Sequence, residues 1–186
     1  MGYEIQGGVA RPRRGSVEKF VRSIAALFSN LRKKRFNGRK SESWTDEEAG
    51  RVFIEELNEK ITGAIFGSKQ YGWVFYFNES TDLSAFNKVD NIIKKMARRT
   101  EHLTNEMRSS IKKTVRSHYE SKYNKTGGYI VNYDLLSSVQ LKLDYLVRLK
   151  YIERNHAMTS ESIERLYFQR INEKLARLEK DVGLIS

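Results

Sequence analysis

Residues 81–122 contain neither glycine nor proline, and along them apolar side chains recur at Phe86, Val89, Ile93, Met96, Leu103, Met107, Ile111 and Val115. This three-and-four rhythm marks one buried helix face, because 3.6 residues per turn bring such positions onto the same side. It predicts one long helix or two collinear ones, closed by the turn residues of "KTGG".

The same rhythm recurs elsewhere. Behind Ser16, a suitable N-cap, Val17, Phe20, Val21, Ile24, Leu27, Phe28 and Leu31 form a second stripe, with Gly38 as its stop. Thr45 and Glu48 have capping-box spacing, and Asp46 and Glu47 suit the positive end of a helix dipole. The helix they open would bury Phe53, Leu57, Ile61 and Ile65 and end near Gly67. Two further helices are expected at 132–151 and 159–182, the latter burying Ile163, Tyr167, Ile171, Leu175, Leu178 and Val182 before Gly183. Between these patterns, Tyr71, Trp73, Phe75, Tyr76 and Phe77 form either one short strand or an aromatic plug.

Residues 1–15 hold four of the twelve glycines and the only proline, without apolar periodicity, and read as an extended arm. The expected fold is therefore all-α. A helical bundle of four to five helices (41–186) follows an extended basic N-terminal arm and amphipathic helix (1–40). At 186 residues the chain can bury one core of ordinary size. The absence of Cys excludes disulfides, thiolate metal sites and thiol catalysis. No run approaches the ~20 apolar residues of a membrane span, so the protein reads as soluble.

The net charge of +11 is unevenly placed. Residues 1–40 carry eleven Lys and Arg against Glu4 and Glu18; residues 41–93 carry ten acids against four bases; residues 94–125 carry ten bases against three acids. Locally dense cations suit a polyanion, because binding releases condensed counterions. The candidate DNA contacts are Arg11, Arg13, Arg14, Lys19 and Arg22 before and along the first helix, and Arg32, Lys33, Lys34, Arg35, Arg39 and Lys40 after it. A second block, Lys94, Lys95, Arg98, Arg99, Lys112, Lys113 and Arg116, recurs at near-helical spacing. A membrane-surface helix is the competing reading of residues 16–31, ranked behind DNA.

Reactive constellations are hard to find. His102, His118 and His156 have no metal-ligand spacing, and "GAIFGSKQ" is one residue short of a phosphate loop and has Gln70 where a hydroxyl belongs. Glu55, Glu56 and Glu59 resemble a divalent-metal set, but a solvated helix face accounts for them. Their charge also suits the basic arm crossing a neighbouring subunit's acidic helix or folding back on its own. No catalytic residue, metal or cofactor is expected, and the chain reads as non-enzymatic.

Two families are echoed. Residues 137–155, "SSVQLKLDYLVRLKYIERN", resemble the end of a winged helix-turn-helix domain, with Leu143 and Leu146 on a recognition helix and Leu149, Tyr151, Ile152 and Arg154 leading to the wing. Lys150 stands where that family has Gly, and Leu141 and Leu143 replace polar base-reading residues. The resemblance implies a dimeric DNA-binding transcriptional regulator. Across the whole chain, a basic arm and helix ahead of a Cys-free helical bundle resemble the major coat proteins of filamentous archaeal viruses. That resemblance implies a structural protein that wraps double-stranded DNA without sequence specificity. It also implies self-assembly into a helical capsid, as a homo-oligomer or with a related coat protein, and a place in the virion after assembly in the host cytoplasm. Of these two, the coat-protein reading is the leading expectation.

Overall fold

The computed structural model describes residues 2–36, 39, 41–154 and 157–182. The expected helix stops Gly38 and Gly183, and His156, lie outside the described residues. The fold is mixed α/β and not the all-α bundle of four to five helices that the periodicity suggests. In chain order the helices are α1 (Arg14–Arg32), α2 (Asp46–Thr62), α3 (Trp73–Tyr76), α4 (Ser84–Arg98), α5 (Asn105–Ser109), α6 (Thr114–Tyr123), α7 (Val139–Arg148) and α8 (Ser160–Val182). The strands are β1 (Tyr3–Gln6), β2 (Val9–Pro12), β3 (Ala64–Phe66), β4 (Lys69–Tyr71) and β5 (Val131–Asn132). A 3-10 turn, Tyr133–Leu135, follows β5.

The expected extended arm is instead a hairpin. Gly7 and Gly8 both have positive φ, +56° and +77°, the backbone that a two-residue type I′ turn requires, and β1 pairs antiparallel with β2 from Gln6↔Val9 to Tyr3↔Pro12. Docking completes it. Tyr3 Oη donates to the Tyr76 carbonyl (3.0 Å) and accepts from Glu79 N–H (3.0 Å), while the Ala10 carbonyl accepts from the N–H groups of Thr81 (2.9 Å) and Asp82 (3.2 Å). Helix α1 then begins at Arg14, and Ser16, the expected N-cap, is buried inside it.

The capping box opens α2 as its spacing predicts: Thr45 Oγ1 accepts from Glu48 N–H (3.2 Å) and Glu48 Oε2 from Thr45 N–H (3.0 Å). The helix stops at Thr62, short of Gly67. At Gly63 (φ +68°) the chain turns and passes the end of β4 so closely that a Cβ there would meet the Tyr71 carbonyl oxygen at 2.3 Å. Ile65, expected on the helix, lies in β3, the central strand between antiparallel β4 and parallel β5.

The run 81–122 is broken into α4, α5 and α6, despite lacking glycine and proline. Side chains supply the hydrogen bonds that an unbroken helix would make internally. Arg108 donates to the carbonyls of Ala97 (3.2 Å) in the last turn of α4 and Thr100 (3.1 Å) just beyond it, and Thr104 Oγ1 accepts from Met107 N–H (3.2 Å) to cap α5. Asn58 accepts from Lys112 N–H (2.8 Å), and Asp90 accepts from the N–H groups of Thr114 (2.6 Å) and Val115 (3.3 Å). The chain thereby doubles back, and α6 packs on α4.

One core unites the described residues. Phe20 of α1 stacks on Trp73 with ring centroids 4.7 Å apart, and Trp73 also meets Phe77 and Phe86. The aromatic stretch is thus a plug for most of its length, with Tyr71 alone ending a strand. Residues 1–40 and 41–186 share this core, since α1 contributes Phe20, Ile24, Phe28 and Leu31 beside Phe53, Leu57, Phe86 and Ile171. All six apolar positions expected on the last helix are buried in α8.

A polar spine runs beside the apolar core. The Lys174 ammonium on α8 is ion-paired with the Glu59 carboxylate on α2, which also accepts from Tyr133 Oη (2.6 Å); Tyr145 Oη of α7 donates on to Tyr133 Oη (3.3 Å). Burial is the largest influence on Lys174 and would lower its value, but the Glu59 carboxylate, together with Tyr145, Glu56 and Tyr151, raises it above the ordinary lysine range and keeps the amine charged. Burial also raises Tyr133 and Tyr145, and pushes Tyr167 up to about 12, so the three phenols remain hydrogen-bond donors at neutral pH. Lys174→Met is expected to cost about 3–5 kcal/mol in urea unfolding because it leaves Glu59 buried and unpaired. Adding Glu59→Gln should restore part of that loss; no difference between single and double variants would show that the charge is solvated.

His118 of α6 is buried edge-on to Phe86, and burial, followed by the nearby Lys122, lowers its imidazole below the ordinary value of 6.5. The unfolded chain therefore binds this proton first. Stability from His118 is present above about pH 6.5 and is lost as pH falls toward the folded-state value. Melting temperature measured across that window should fall less steeply for His118→Phe than for the parent chain.

Candidate nucleic-acid interface

Helix α4 buries Phe86, Val89, Ile93 and Ala97, and this turns Ser84, Asn87, Lys88, Asn91, Lys94, Lys95 and Arg98 to solvent. All seven are neutral polar or cationic. The one acid of the helix, Asp90, is engaged by the first N–H groups of α6. Among the described residues, Lys88, Lys94, Lys95, Arg98 and Arg99 form no ion pair. Their charge is therefore available to a partner along the full length of the helix.

A groove of about 710 Å³ lies between α4, α5 and the start of α6. Lys94, Arg98, Arg108, Lys112 and Lys113 line it with the amides of Asn87, Asn91 and Asn105 and the Asp90 carboxylate, which the α6 N–H groups engage. Not every cation of the second block is free. Lys112 turns its ammonium to the Tyr129 carbonyl, where burial lowers its value, and Arg116 lies over the Tyr129 ring and pairs with Glu120.

Helices α1 and α4 pack together. Near their starts, the Glu18 carboxyl is held below its usual range chiefly by Arg14, with Arg22 and Lys88 adding to the effect. Near their ends, Asp46 lies 3.0 Å from Lys34 Nζ and 2.9 Å from His102 Nδ1, so the segments following both helices meet at the start of α2. The exposed Arg32, Lys33 and Arg35 thus occupy the same end of the molecule as Arg98 and Arg99. Positive charge also suits the negative ends of both helix dipoles.

The expected DNA contacts divide into exposed and engaged cations. Arg13, Arg14, Arg22, Arg32, Lys33 and Arg35 are exposed, and Lys19 is half-buried. Arg14 is paired with Glu18 (2.7 Å), Arg11 with Glu4 (3.0 Å), and Arg13 Nε donates to the Tyr3 carbonyl (3.0 Å). Lys34 is held by the Trp44 carbonyl and Asp46. Arg39 is a structural residue: its side chain is 0 % exposed, ion-paired with Glu56, bonded to the Leu149 carbonyl (3.0 Å) and flanked by the rings of Phe36 and Tyr151. Lys40 lies outside the described residues. The structure brings in Lys88, Asn87 and Asn91, which charge counting overlooked; their signal was the acid-free i, i+3, i+4, i+7 row opposite the apolar stripe.

The acidic helix meets cations of its own chain. Glu48, Glu55, Glu56 and Glu59 pair with Lys150, Arg148, Arg39 and Lys174, so the fold-back alternative for the basic segment is realised by Arg39. Among the described residues, no group of three His, Asp or Glu could hold a metal ion. The stretch tested as a phosphate loop is the β3–β4 hairpin, and its turn amides, Gly67 and Ser68, already donate to the Asp134 carboxylate (2.8 and 3.2 Å). After α7 the chain turns with Lys150 at φ +58°, and the described residues up to α8 contain no wing strand. No helix among the described residues is long and apolar enough to cross a membrane.

Arg39→Ala should lower the melting temperature by leaving Glu56 buried without its counterion, whereas Arg32→Ala and Arg35→Ala should stay within about 0.5 kcal/mol of the parent chain. Equal stability of all three variants would refute the division between structural and surface cations. No family model matches this chain, and no curated protein or solved structure matches it.

Proposed function

We propose that this chain is a non-enzymatic protein that grips the backbone of double-stranded DNA without reading its sequence and covers it as a packaging protein. The observation that supports the reading is the α4 face: Asn87, Lys88, Asn91, Lys94, Lys95 and Arg98 are exposed together, all amide or cationic, with no carboxylate among them. Lysine and arginine contact phosphates irrespective of base, and Asn side chains add hydrogen bonds to phosphate and sugar oxygens. The cationic end formed by Arg32, Lys33, Arg35, Arg98 and Arg99 extends the footprint.

The β-hairpins depart from the all-α architecture that the coat-protein resemblance implies. The docked N-terminal hairpin also removes the free arm that would wrap the duplex. The reading therefore rests on α4 and its groove, and assembly on DNA is a property to be measured.

Random-sequence duplex should bind with an affinity that falls steeply with salt. Lys94→Glu/Lys95→Glu/Arg98→Glu should flatten the slope of log K against log salt by about three, near 0.9 for each phosphate that is no longer neutralised. Binding confined to one short sequence, or an unchanged slope in the triple variant, would sink the proposal. Electron microscopy of the protein with the same duplex should show continuous coated filaments; isolated dimers would leave DNA binding intact and remove the packaging role.

A further inference from the structure

Helix α6 carries two aromatic rings that the fold does not use. Thr114, Ser117, His118 and Ser121 form its buried side, so Tyr119 and Tyr123 point to solvent, 59 % and 71 % exposed. Their ring centroids are 5.0 Å apart with an interplanar angle of 47°. Neither ring joins the core, and neither phenol makes a hydrogen bond to the described residues. Tyrosines outside the core, side by side and one helical turn apart, present flat faces to a partner.

Their surroundings are cationic. Lys122 and Lys125, both half-buried, lie beside and beyond them, while Arg116, which precedes them, has its charge met by Glu120. The one acid of α6, Glu120, is buried and accepts from Arg116 Nε (3.1 Å) and Asn124 Nδ2 (2.8 Å), so it does not oppose an anion. Position matters as well. Val115 lines the α4 groove, and Tyr119 stands four residues further along α6, about 6 Å at 1.5 Å per residue.

We infer that Tyr119 and Tyr123 form a stacking platform for unpaired bases of a nucleic-acid strand whose phosphates lie in the α4 groove; this rests on the nucleic-acid reading given above. Bases within a duplex are stacked on one another and cannot offer their faces to a side chain. The platform therefore takes single-stranded nucleic acid, or the unpaired end of a duplex, while α4 holds either form by its backbone. Stacking on an aromatic ring tolerates any base, since each has a π-face. The additional specificity is for strandedness and not for sequence.

The test compares labelled oligothymidylate and a random duplex of equal length by fluorescence anisotropy, with wild type, Tyr119→Ala/Tyr123→Ala and Tyr119→Phe/Tyr123→Phe. The Ala pair should weaken single-strand binding roughly tenfold or more. Its duplex affinity should stay within about twofold, as expected of an exposed site outside that contact. The Phe pair, which keeps both rings, should bind the single strand as wild type does. An Ala pair that binds oligothymidylate like wild type overturns the platform while leaving duplex binding in place, and so does an Ala pair that loses both ligands equally. Wild type that binds neither ligand at low salt overturns the nucleic-acid reading itself.

Discussion

A carboxylate buried on one helix cannot remain there alone, and the position of Glu59 follows from that constraint. Moving an isolated charge out of water costs several kcal/mol even after relaxation. Glu59 is therefore met by the ammonium of Lys174 and the phenol of Tyr133, with Tyr145 behind it. These four side chains belong to α2, α8, the 3-10 turn and α7. Satisfying one charge thus fixes the last third of the chain against the second helix. The same logic recurs at Arg39–Glu56 and Lys60–Asp181, both largely withdrawn from solvent. Each pair ties α2 to another part of the chain: Arg39 to Glu56, Asp181 of α8 to Lys60.

That arrangement frees α4. Because the acids of α2 are neutralised from within the molecule, they do not answer the cations of α4, and Lys88, Lys94, Lys95 and Arg98 keep their charge for a partner. The duplex-binding reading and the platform reading both depend on this separation of charge. The α2 carboxylates turn toward cations of their own chain, while the exposed face of α4 carries no carboxylate.

Helix faces were legible in the sequence wherever burial had a 3.6-residue period. Phe20, Ile24 and Phe28, the capping box at Thr45 and the α8 stripe lie where periodicity puts them. The hairpins escaped notice because their strands are three or four residues long, too short for alternation to register, although Gly7–Gly8 is itself a hairpin signal. The breaks inside 81–122 could be read locally only in part. The Thr104 cap of α5 is a local signal, but the other bonds come from Arg108, Asp90 and Asn58, eight to fifty-four residues from the groups they reach, beyond a helix-length window. For the site, counting charge favoured residues 11–40, where Arg39, Lys34 and Arg11 prove to be engaged; sorting α4 by exposed position would have pointed to the acid-free row.

The separation of Glu59 from Lys174 by 115 residues has a meaning for synthesis. A ribosome delivers the carboxylate long before its counterion, so the nascent α2 must keep this group in water until α8 emerges. The buried pair can close only once α8 is in place, so the last described helix acts as a clasp on the α2 edge.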